Sequence, residues 1–376
     1  MQETRKSKIL CVAGARPNFM KIAPIISAIN KSEVLDYVLV HTGQHYDIEM
    51  NHQFFEQLEI PDPDISLGVG SGSHAVQTAE IMRGFEPVLE DQAPVAVLVV
   101  GDVNSTIACA LVASKKGVPV IHVEAGLRSY DRSMPEEINR VLTDQLSDVL
   151  FTTERNAEQN LVKEGIEREC VHFVGNVMID TLFHNLPKAV SPETILSHVC
   201  DSGVCLDGKS GYALLTLHRP SNVDCSTTLS GLLDAVKSIS DDIPVVFPVH
   251  PRTLGSIKKF KLSRLLDSER IMLLPPLGYF EMLGLMSKAR IVLTDSGGVQ
   301  EETTALGVPC ITLRENTERP VTIDEGTNTV VGTKPDNIFR VVECILSTGG
   351  KKGRIPEGWD GKSAERIVGI LEKRFC

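Results

Sequence analysis

Short apolar runs rich in β-branched residues recur along the chain, and each of them ends in a polar turn. The clearest runs are KILCVA, VAVLVV and IVLT, and each is followed by a glycine- or aspartate-containing turn and then by a helical pattern. Continuous apolar strands of this kind are typical of parallel sheets, because helices cover both faces of such a sheet. The pattern therefore predicts an α/β architecture with parallel sheets.

One strand–turn–helix–strand unit, at residues 291–313, shows this pattern most clearly. An apolar strand at residues 291–293 leads into the turn Asp295-Ser296-Gly297-Gly298, and a helix is predicted over residues 299–306. Gly307 is placed to end that helix, and the apolar residues 308–313 predict the next strand. The unit is the kind of crossover from which parallel sheets are built.

The turn of this unit carries candidate binding chemistry. Glycines at a helix start let a ligand approach the backbone, and free N–H groups there favour a phosphate. The acids Glu301 and Glu302 suit sugar hydroxyls better than phosphate, so the unit indicates a nucleotide-sugar site. The alternative is a tight turn in which Ser296 caps the helix and the acids complement the helix dipole.

A second unit has the same order of elements. Residues 95–100 predict a strand, Gly101-Asp102 a turn, the chain through Lys116 a helix, and residues 118–123 the following strand. Both units carry the tripeptide Gly-Val-Pro between the helix and the second strand. The repetition predicts two similar α/β halves.

Size and composition agree with this organisation. A chain of 376 residues is too long for one ordinary core, so two domains are expected. The net charge of −11 argues against general nucleic-acid binding, although a local arginine and lysine cluster could still hold an anion. No apolar run is long enough to span a bilayer, and the N-terminus lacks a signal-peptide core, so we expect a cytoplasmic protein without membrane insertion.

The nine cysteines are scattered singly along the chain and include no CxxC pair. We therefore expect free thiols, mostly buried, and no zinc site.

Polar residues follow predicted strands, or lie in the connections that leave them, in both halves of the chain. Because carboxyl ends of parallel strands meet at one edge of a sheet, we expect these residues to converge on a ligand cleft between the domains. The residues are Arg16, Asp102, Glu124, His218, His250, Ser296 and Arg319. Glu136 and Glu137 follow Pro135 at a predicted helix start, where complementing the helix dipole would explain them locally.

The segments GARPNFMK, TGQHYD, GDVNST, HVEAGLRS, MPEEINR, HRPSN, TDSGGVQEE, ENTERP and GTNT together resemble the non-hydrolysing UDP-N-acetylglucosamine 2-epimerase family. The resemblance runs in register over nearly the whole chain. It implies an α/β fold of two Rossmann-like doubly wound domains of the glycosyltransferase-B type. Residues 1–180 would carry the catalytic carboxylates, residues 181–358 would bind UDP, and residues 359–376 would form a helix that packs back on the first domain.

The resemblance also implies an activity. The expected reaction is the reversible C2 epimerisation of UDP-N-acetylglucosamine to UDP-N-acetylmannosamine, by anti elimination of UDP and its re-addition to 2-acetamidoglucal, in the supply of cell-surface polysaccharide precursors. Asp102, Glu124 and Glu136 match the family's acidic set, and His218 matches the histidine beside the phosphates. We expect Asp102 and Glu124 to exchange the C2 proton and Glu136 to support or share that role, with the face on which each acts left open.

Further residues are assigned to binding by the same resemblance. Arg16, Lys21 and Arg219 would neutralise the diphosphate, the backbone of Ser296, Gly297 and Gly298 would hold phosphate oxygens, and Glu302 would bind the ribose, with His250 and Arg319 as further site residues. Gln44 and His45 match a region linked in some members to allosteric binding of substrate. The family implies a UDP-sugar substrate, a homodimer, and no metal or redox cofactor.

The chain departs from the family pattern in two places that bear on the site. GARPNFMK replaces the common GTRPEAIK but retains Arg16 and Lys21, while His250-Pro251-Arg252 replaces histidine-asparagine-proline on the uridine side.

Four alternatives remain open. They are a 2-epimerase of UDP-2,3-diacetamido-glucuronic acid, a hydrolysing epimerase that releases UDP and N-acetylmannosamine, a glycosyltransferase on the same scaffold, and a non-catalytic UDP-sugar sensor. Arg319 in its TERP segment favours the N-acetylglucosamine substrate, and the acidic triplet together with His218 favours catalysis over sensing.

Overall fold

The computed structural model describes residues 6–43, 58–197 and 211–376. The chain forms two compact units. Unit 1 comprises Met1–His184 together with Glu357–Cys376, and unit 2 comprises Asn185–Pro356. Each unit is built around one parallel sheet.

The sheet of unit 1 has seven strands within the described residues, in the order β3-β2-β1-β4-β5-β6-β7, and all of its pairings are parallel. This order reverses between β1 and β4, which makes the sheet doubly wound and marks the edge where such sheets bind ligands. The strands are β1 (Ser7–Ala13), β2 (Leu35–His41), β3 (Ile65–Ser66), β4 (Ala96–Val100), β5 (Val120–Ala125), β6 (Val149–Thr152) and β7 (Val171–Phe173).

Helices connect these strands and cover the sheet. Every residue of β4 and β5 is buried, which explains the unbroken apolar run at β4; β5 interrupts its apolar residues only with the buried His122 and Glu124. The helices are α1 (Arg16–Ile29), α2 (His74–Gln92), α3 (Asn104–Lys115), α4 (Pro135–Leu146), α5 (Arg155–Lys163) and α6 (Val177–Asn185).

The sheet of unit 2 has six strands within the described residues, in the order β10-β9-β8-β11-β12-β13, again with parallel pairings. Its order reverses between β8 and β11, so unit 2 is doubly wound in the same way as unit 1. The strands are β8 (Ala213–Thr216), β9 (Val245–Pro248), β10 (Ile271–Leu274), β11 (Ile291–Thr294), β12 (Cys310–Thr312) and β13 (Asn328–Val330).

The helices of unit 2 pack their apolar residues on both faces of this sheet, and α9 and α14 contribute to one continuous core with β8, β9 and β11. They are α7 (Pro192–Leu196), α8 (Pro220–Val223), α9 (Ser226–Asp242), α10 (Pro251–Lys259), α11 (Tyr279–Lys288), α12 (Gly297–Leu306), α13 (Val321–Asp324) and α14 (Pro335–Thr348).

The last helix, α15 (Ser363–Phe375), belongs to unit 1 and packs against α1. The carboxylate of Asp180 accepts the backbone N–H groups of Ser363 at 3.1 Å and Ala364 at 2.7 Å, so it caps the helix start. Burial raises the pKa of Asp180, and these hydrogen bonds oppose that shift. At the other end, the hydroxyl of Ser7 donates to the carbonyl of Phe375 at 2.9 Å.

Two site residues lie in different elements from those that the sequence predicts. Arg16 is the first residue of α1 and not a loop residue, because Pro17 fits the start of a helix and the cap is completed by Asn18. Glu124 lies within β5 rather than after it, because that strand continues to Ala125 through a shift of register. In unit 2, α12 begins at Gly297, two residues earlier than predicted.

The expectation of mostly buried cysteines is wrong for the described residues. Three of the free thiols there are buried and three are exposed, since the exposed ones precede a helix, lie on an outer helix face, or end the chain. The buried thiols belong to Cys11, Cys109 and Cys310, the exposed ones to Cys225, Cys344 and Cys376, and Cys170 is intermediate. Among the described residues, no helix is both long enough and apolar enough to cross a membrane.

Candidate active site

In unit 1 the neighbouring strands β4 and β5 each lead to an acidic side chain. After β4 the chain turns at Gly101, whose φ of +65° is in the left-handed region, and continues to Asp102. A Cβ atom on Gly101 would lie 3.0 Å from Nζ of Lys21, so the approach of the lysine requires glycine here. The turn brings Lys21 of α1 against the carboxyl end of β4.

Glu124 occupies a strained position near the end of β5. Its φ of +74° is a value that residues other than glycine rarely adopt, and the pairing of β5 with β6 shifts register between Val123 and Ala125. The ammonium group of Lys21 forms an ion pair with the Glu124 carboxylate, and both side chains are buried. Strained backbone that is held in place by buried contacts is typical of functional sites.

Asn18 fixes the start of α1 at the point where the sheet order reverses. Its Oδ1 accepts the N–H groups of Gly14 at 3.1 Å and Ala15 at 3.0 Å, and its Nδ2 donates to the carbonyl of Val100 at 3.0 Å. The end of β1, the start of α1 and the end of β4 are thereby joined through one side chain. Arg16 lies in this turn, and its side chain is outside the described part of the structure.

Arg140 of α4 holds Asp102. Its Nη2 lies 2.5 Å from Oδ2 of Asp102, and its Nη1 lies 2.5 Å from Oε2 of Glu137. Nδ2 of Asn139 donates to the backbone carbonyl of Asp102 at 2.9 Å. The guanidinium is buried, whereas the Asp102 side chain is 25% exposed, so the carboxylate is oriented from behind and stays accessible.

The two adjacent acids at the start of α4 have different surroundings. Glu137 is buried, and its carboxylate accepts the N–H groups of Ser129 and Tyr130, each at 2.9 Å, in addition to the Ser129 hydroxyl. Glu136 is half-buried, and its side chain makes no hydrogen bond or ion pair within the described residues. Glu137 therefore anchors the loop before the helix, and Glu136 is the acid that remains available for chemistry.

Behind these carboxylates lies a fully buried pair, His122 of β5 and Asp144 of α4. Nδ1 of His122 lies 2.7 Å from Oδ1 of Asp144, and its Nε2 lies 2.8 Å from the carbonyl oxygen of Gly101. Oδ2 of Asp144 accepts the N–H of Gly126 at 3.1 Å and lies 2.7 Å from Nη2 of Arg128. The pair ties the ends of β4 and β5 to α4.

In unit 2 the central strands β8 and β11 lead to His218 and Asp295. Asp295 is 0% exposed, and its carboxylate accepts the N–H groups of His218 and Arg219 and lies 2.9 Å from Nδ1 of His218. Burial would raise the pKa of Asp295, but the hydrogen bond and charge of His218 and the backbone donors lower it overall. Asp295 thus fixes the His218 ring, whose side chain is 39% exposed, and turns its other edge away from the carboxylate.

The turn into α12 places backbone N–H groups at a helix start, where a phosphate can bind. The N–H of Ser296, expected among them, instead donates to the hydroxyl of Thr294 at 3.0 Å. Ser296 is the N-cap residue, but its side chain makes no capping hydrogen bond, so the hydroxyl is left for another acceptor. A Cβ atom on Gly297 would lie 2.8 Å from Nη1 of Arg319 and 3.2 Å from Oε1 of Glu318, so glycine lets these charges pack under the turn. Gly298 follows on the same helical turn.

Arg319 belongs to a buried cluster of charges beneath this turn. Its Nε lies 2.9 Å from Oε1 of Glu301, and its Nη1 lies 2.9 Å from Oε1 of Glu318. Glu318 also meets Arg314 at 2.9 Å and Arg219 at 3.6 Å. Burial would raise the pKa of Glu318, but the three arginines hold it well below its usual range. The arginines outnumber the two carboxylates, so the cluster favours an anion at the helix start.

Glu302 lies farther along α12 and is also buried. The hydroxyl of Tyr279 donates to its Oε1 at 3.1 Å. Burial raises the pKa of Glu302 to about 7; the hydrogen bond from Tyr279 opposes this rise and the charge of Glu301 adds to it. The pKa of Tyr279 is raised well above its ordinary value by burial and by the Glu302 carboxylate.

His250 lies at the end of β9, close to His218, with ring centroids 5.9 Å apart. It is the N-cap of α10 and accepts the N–H of Arg252 through Nδ1 at 3.2 Å. The side chain of Arg252, which stands at the departure from the family pattern, forms an ion pair with Asp224.

The predicted site residues fall into two groups, one in each unit. Unit 1 contains Arg16, Lys21, Asp102, Glu124 and Glu136. Unit 2 contains His218, Arg219, His250, Ser296, Gly297, Gly298, Glu302 and Arg319. The structure brings Lys21 into contact with Glu124 and places Arg319 in the support of the turn. Their roles toward substrate stay predictions, and Gln44 and His45 lie outside the described residues.

Several side chains that organise the site do not emerge from the sequence. Asp295 directly precedes Ser296, and Arg140 lies three residues after Glu137, so chain position and helical spacing could have pointed to both. Tyr279 carries no such signal, because its partner Glu302 lies far away along the chain. Asn18 has local partners in Gly14 and Ala15, but no sequence signal indicates its bond to Val100.

Both units place polar groups at the carboxyl ends of doubly wound parallel sheets. This arrangement defines the class of proteins with two Rossmann-like α/β domains.

Comparison with known proteins identifies the family. The family model for UDP-N-acetylglucosamine 2-epimerase matches residues 27–372. The UDP-N-acetylglucosamine 2-epimerase of Methanocaldococcus jannaschii is 44% identical over 367 residues, which cover 97% of this chain and 98% of the relative. The UDP-2,3-diacetamido-2,3-dideoxy-D-glucuronate 2-epimerase of Pseudomonas aeruginosa is 41% identical over 373 residues, which cover 97% and 99% of the two chains.

A solved structure agrees with these relatives. The crystal structure of the Methanocaldococcus jannaschii UDP-GlcNAc 2-epimerase in complex with UDP-GlcNAc and UDP matches with a TM-score of 0.87 and 43% identity, covering 97% of this chain and 99% of that one. The chain therefore belongs to the UDP-N-acetylglucosamine 2-epimerase family, a family of isomerases. The predicted fold, two Rossmann-like domains of the glycosyltransferase-B type, is confirmed.

Proposed function

We propose that the chain interconverts UDP-N-acetylglucosamine and UDP-N-acetylmannosamine by elimination and re-addition of UDP. The observation that carries the proposal is the set of three carboxylates in unit 1. Asp102 and Glu124 follow or end neighbouring strands, each beside a buried cation, and Glu136 stands without a partner among the described residues. The crystal structure of the Methanocaldococcus relative, in which UDP-GlcNAc and UDP are bound, supports the choice of substrate.

The first half of the reaction needs a base and a stabilised leaving group. One carboxylate removes the proton from C2, the C1–O bond breaks, and its electron pair leaves with UDP, so that 2-acetamidoglucal has a double bond between C1 and C2. Asp102 and Glu124 are the candidates for this base. His218, oriented by Asp295, is the candidate for contact with the departing diphosphate.

The second half reverses these changes on the other face of the sugar. A carboxylic acid delivers a proton to the opposite face of C2, and an oxygen of UDP re-forms the bond to C1. Two carboxyl groups must therefore exchange the C2 proton, and Asp102 and Glu124 fit this role. Glu136 supports or shares it from the first turn of α4.

Unit 2 is proposed to hold UDP. The N–H groups of Gly297 and Gly298 and the hydroxyl of Ser296 stand at a helix start, where a phosphate would lie, with the positive charge cluster around Arg319 behind them. The N–H of Ser296 donates to the hydroxyl of Thr294 at 3.0 Å, so the hydroxyl is the proposed phosphate donor of this residue. Glu302 is the candidate for the ribose hydroxyls, because an ionised carboxylate can accept both. Arg16, Lys21, Arg219 and His250 are retained as proposed diphosphate and uridine contacts.

A second substrate has a specific observation in its favour. The Pseudomonas relative, at 41% identity over nearly the whole chain, is named for UDP-2,3-diacetamido-2,3-dideoxy-D-glucuronate. That sugar undergoes the same inversion at C2. The two substrates are distinguished by offering each to the purified protein separately.

Proton NMR in D2O tests the function directly. We expect UDP-N-acetylglucosamine to give UDP-N-acetylmannosamine with deuterium at C2. Free UDP with N-acetylmannosamine would instead establish the hydrolysing reaction. No change with this substrate, but C2 inversion of the diacetamido-uronate, would establish the second substrate, and no change with either would reject epimerisation.

The protein is also proposed to form a homodimer. Apolar side chains are exposed on α2 and α4, with Val76 at 58%, Ile138 at 43% and Leu142 at 49%. A second copy that covers these side chains would remove them from water. Light scattering after size-exclusion chromatography should give twice the chain mass, and replacing Ile138 and Leu142 by lysine should give the single-chain mass. A wild-type monomer would reject the dimer.

A cytoplasmic location is proposed on the state of the cysteines. The described thiols are free, including exposed Cys225, Cys344 and Cys376, which an oxidising compartment would modify or pair. Fractionation of cells that express the tagged chain should recover it in the cytoplasm, and recovery in an extracytoplasmic fraction would reject the location.

A further inference from the structure

The buried face of α4 is charged, whereas apolar residues on the same helix are exposed. Glu137, Arg140 and Asp144 are buried there, while Ile138 and Leu142 are 43% and 49% exposed. An ordinary surface helix has the opposite arrangement, with its apolar face against the core. The arrangement therefore requires an explanation beyond packing.

Each of the three charged residues on this face contacts the surroundings of a different carboxylate in the proposed catalytic set. Glu137 fixes the loop that precedes the helix, and Glu136 stands next to it. Arg140 binds the carboxylate of Asp102. Asp144 binds the side chain of His122 and the N–H of Gly126, two residues before and two residues after Glu124.

The same face connects its members to one another. Arg140 joins Glu137 to Asp102 through two nitrogens of one planar guanidinium, so the carboxylates cannot move independently. His122 joins Asp144 to the carbonyl of Gly101, the residue before Asp102. Asp102 is therefore connected to α4 in three ways: through its side chain to Arg140, through its own carbonyl to Asn139, and through the carbonyl of Gly101 by way of His122.

Buried ion pairs of this kind contribute little to stability, because apolar residues of similar size often serve better. We propose that the buried charged face of α4 is a positioning device, which sets Asp102 and Glu124 relative to Glu136, and that Arg140 is the positioning residue that acts through Asp102. The inference rests on the proposed function. It adds to that function the means by which carboxyl groups on three elements are held in one geometry.

The chemistry explains why such a device is needed. The proton leaves one face of C2 and arrives on the other, so two carboxyl groups must each meet the same carbon atom at bonding distance. A displacement of about 1 Å in a reacting group can lower a rate by about 100-fold. Asp102 lies after a strand on a turn, and its side chain is partly exposed, so its position depends on Arg140.

Replacing Arg140→Gln tests the positioning role. We expect kcat for UDP-N-acetylglucosamine to fall by about 100-fold, and deuterium exchange at C2 to fall with it. KM and the dissociation constant of UDP should change by less than about threefold, because the proposed UDP contacts of unit 2 are intact. Arg140→Lys should recover about tenfold of the lost kcat, since it keeps the charge but not the planar fork.

The matched control is Arg83→Gln. Arg83 is an arginine of α2 that pairs with Glu80 in the same unit, with 78% of its side chain exposed. This variant should retain wild-type kcat. An Arg140→Gln protein with kcat within about threefold of wild type would overturn the inference, as would equal losses of kcat and UDP affinity.

A second variant keeps the test decisive if Arg140→Gln does not fold. Glu137→Gln preserves the size of the side chain and one acceptor oxygen, but it removes the charge that holds Arg140. We expect its kcat to fall by about tenfold with UDP affinity retained. A folded Glu137→Gln protein with wild-type kcat would overturn the inference by itself.

The wild-type protein separates the two levels of proposal. If it does not epimerise either UDP-sugar, the proposed function fails. If it epimerises and the α4 variants match it, only the positioning inference fails.

Discussion

The strand–turn–helix units at β4–α3 and β11–α12 are built alike, yet their aspartates have different surroundings. Each unit has an aspartate after a central strand of a doubly wound sheet, and each helix is followed by a glycine with φ near +70°. Asp102 is 25% exposed and is held through its side chain by Arg140. Asp295 is 0% exposed and is surrounded by donors from His218, Arg219 and Asn222.

Both aspartates occupy the same position in the fold, after a central strand, but the residues around each one determine what it can do. An aspartate that faces solvent from one side can meet a substrate. An aspartate whose oxygens are occupied by buried donors can only hold other groups in place, and here it holds His218. The two units thus present different chemistry from one backbone plan: accessible carboxylates in unit 1, and an oriented histidine beside a helix start in unit 2.

The largest effect is expected from Asp102→Asn. Removing a group that transfers the C2 proton should lower kcat by about 1,000-fold. The free energy of unfolding should change by less than about 1 kcal/mol, because asparagine keeps an acceptor oxygen for Arg140 and the buried guanidinium stays paired with Glu137. Steady-state kinetics and urea denaturation measure the two quantities. A variant with substantial kcat would remove Asp102 from the acid–base set.

Asp295→Asn should affect activity and stability together. Its kcat should fall by about 100-fold, because His218 loses the partner that orients it. The free energy of unfolding should also fall by about 2 kcal/mol, because an amide cannot accept all of the buried donors. The same kinetics and denaturation apply, and a change in kcat without loss of stability would contradict the structural half of the comparison.

Much of the fold follows from the sequence because parallel strands are buried on both faces. Runs such as VAVLVV can hardly be anything but inner strands, and Gly117 and Gly307 mark helix ends by their conformational freedom. Pro135 likewise fixes the start of α4. The end of β5 and the start of α12 are predicted less well, since a bulge and a glycine-rich helix start leave no periodic signal.

The types of residue in the candidate site can be predicted from the sequence, but the side chains with which they form hydrogen bonds and ion pairs cannot. The family resemblance assigns Lys21 to the diphosphate, yet the structure pairs it with Glu124, over a hundred residues away. Glu136 and Glu137 are indistinguishable locally, and only the contacts of the loop before α4 separate them. Such contacts depend on tertiary distances of tenths of an ångström, which neither periodicity nor composition encodes.

The Glu302→Gln variant tests a difference between the helices α3 and α12. Seven residues after its aspartate, α12 has buried Glu302 where α3 has buried Cys109. Because the pKa of Glu302 is about 7, the carboxyl is protonated below that pH and ionised above it. The ionised form accepts ribose hydroxyls better, so UDP affinity in the wild type should rise by about tenfold between about pH 6 and pH 8.

Calorimetry at several pH values measures this effect. The terminal phosphate of UDP itself titrates at about pH 6. The dependence of UDP affinity on pH in the Glu302→Gln protein therefore serves as the reference. The wild-type slope should exceed that of the variant. Equal slopes would show that Glu302 does not meet the ribose.

The smallest effects should be the same in both units. Gly117 and Gly307 follow α3 and α12 with φ of +70° and +71°, and no atom lies within 4 Å of a Cβ added to either. Alanine at either position therefore meets no clash but must adopt the left-handed conformation, which costs about 1–2 kcal/mol. Gly117→Ala and Gly307→Ala should lower the free energy of unfolding of their own units by similar amounts in urea denaturation, with kcat unchanged. If the two costs differ by more than about 1 kcal/mol, the two units are alike in backbone plan but not in energetics. The difference between Asp102 and Asp295 would then have to be explained by the whole of each unit and not only by the neighbours of each carboxylate.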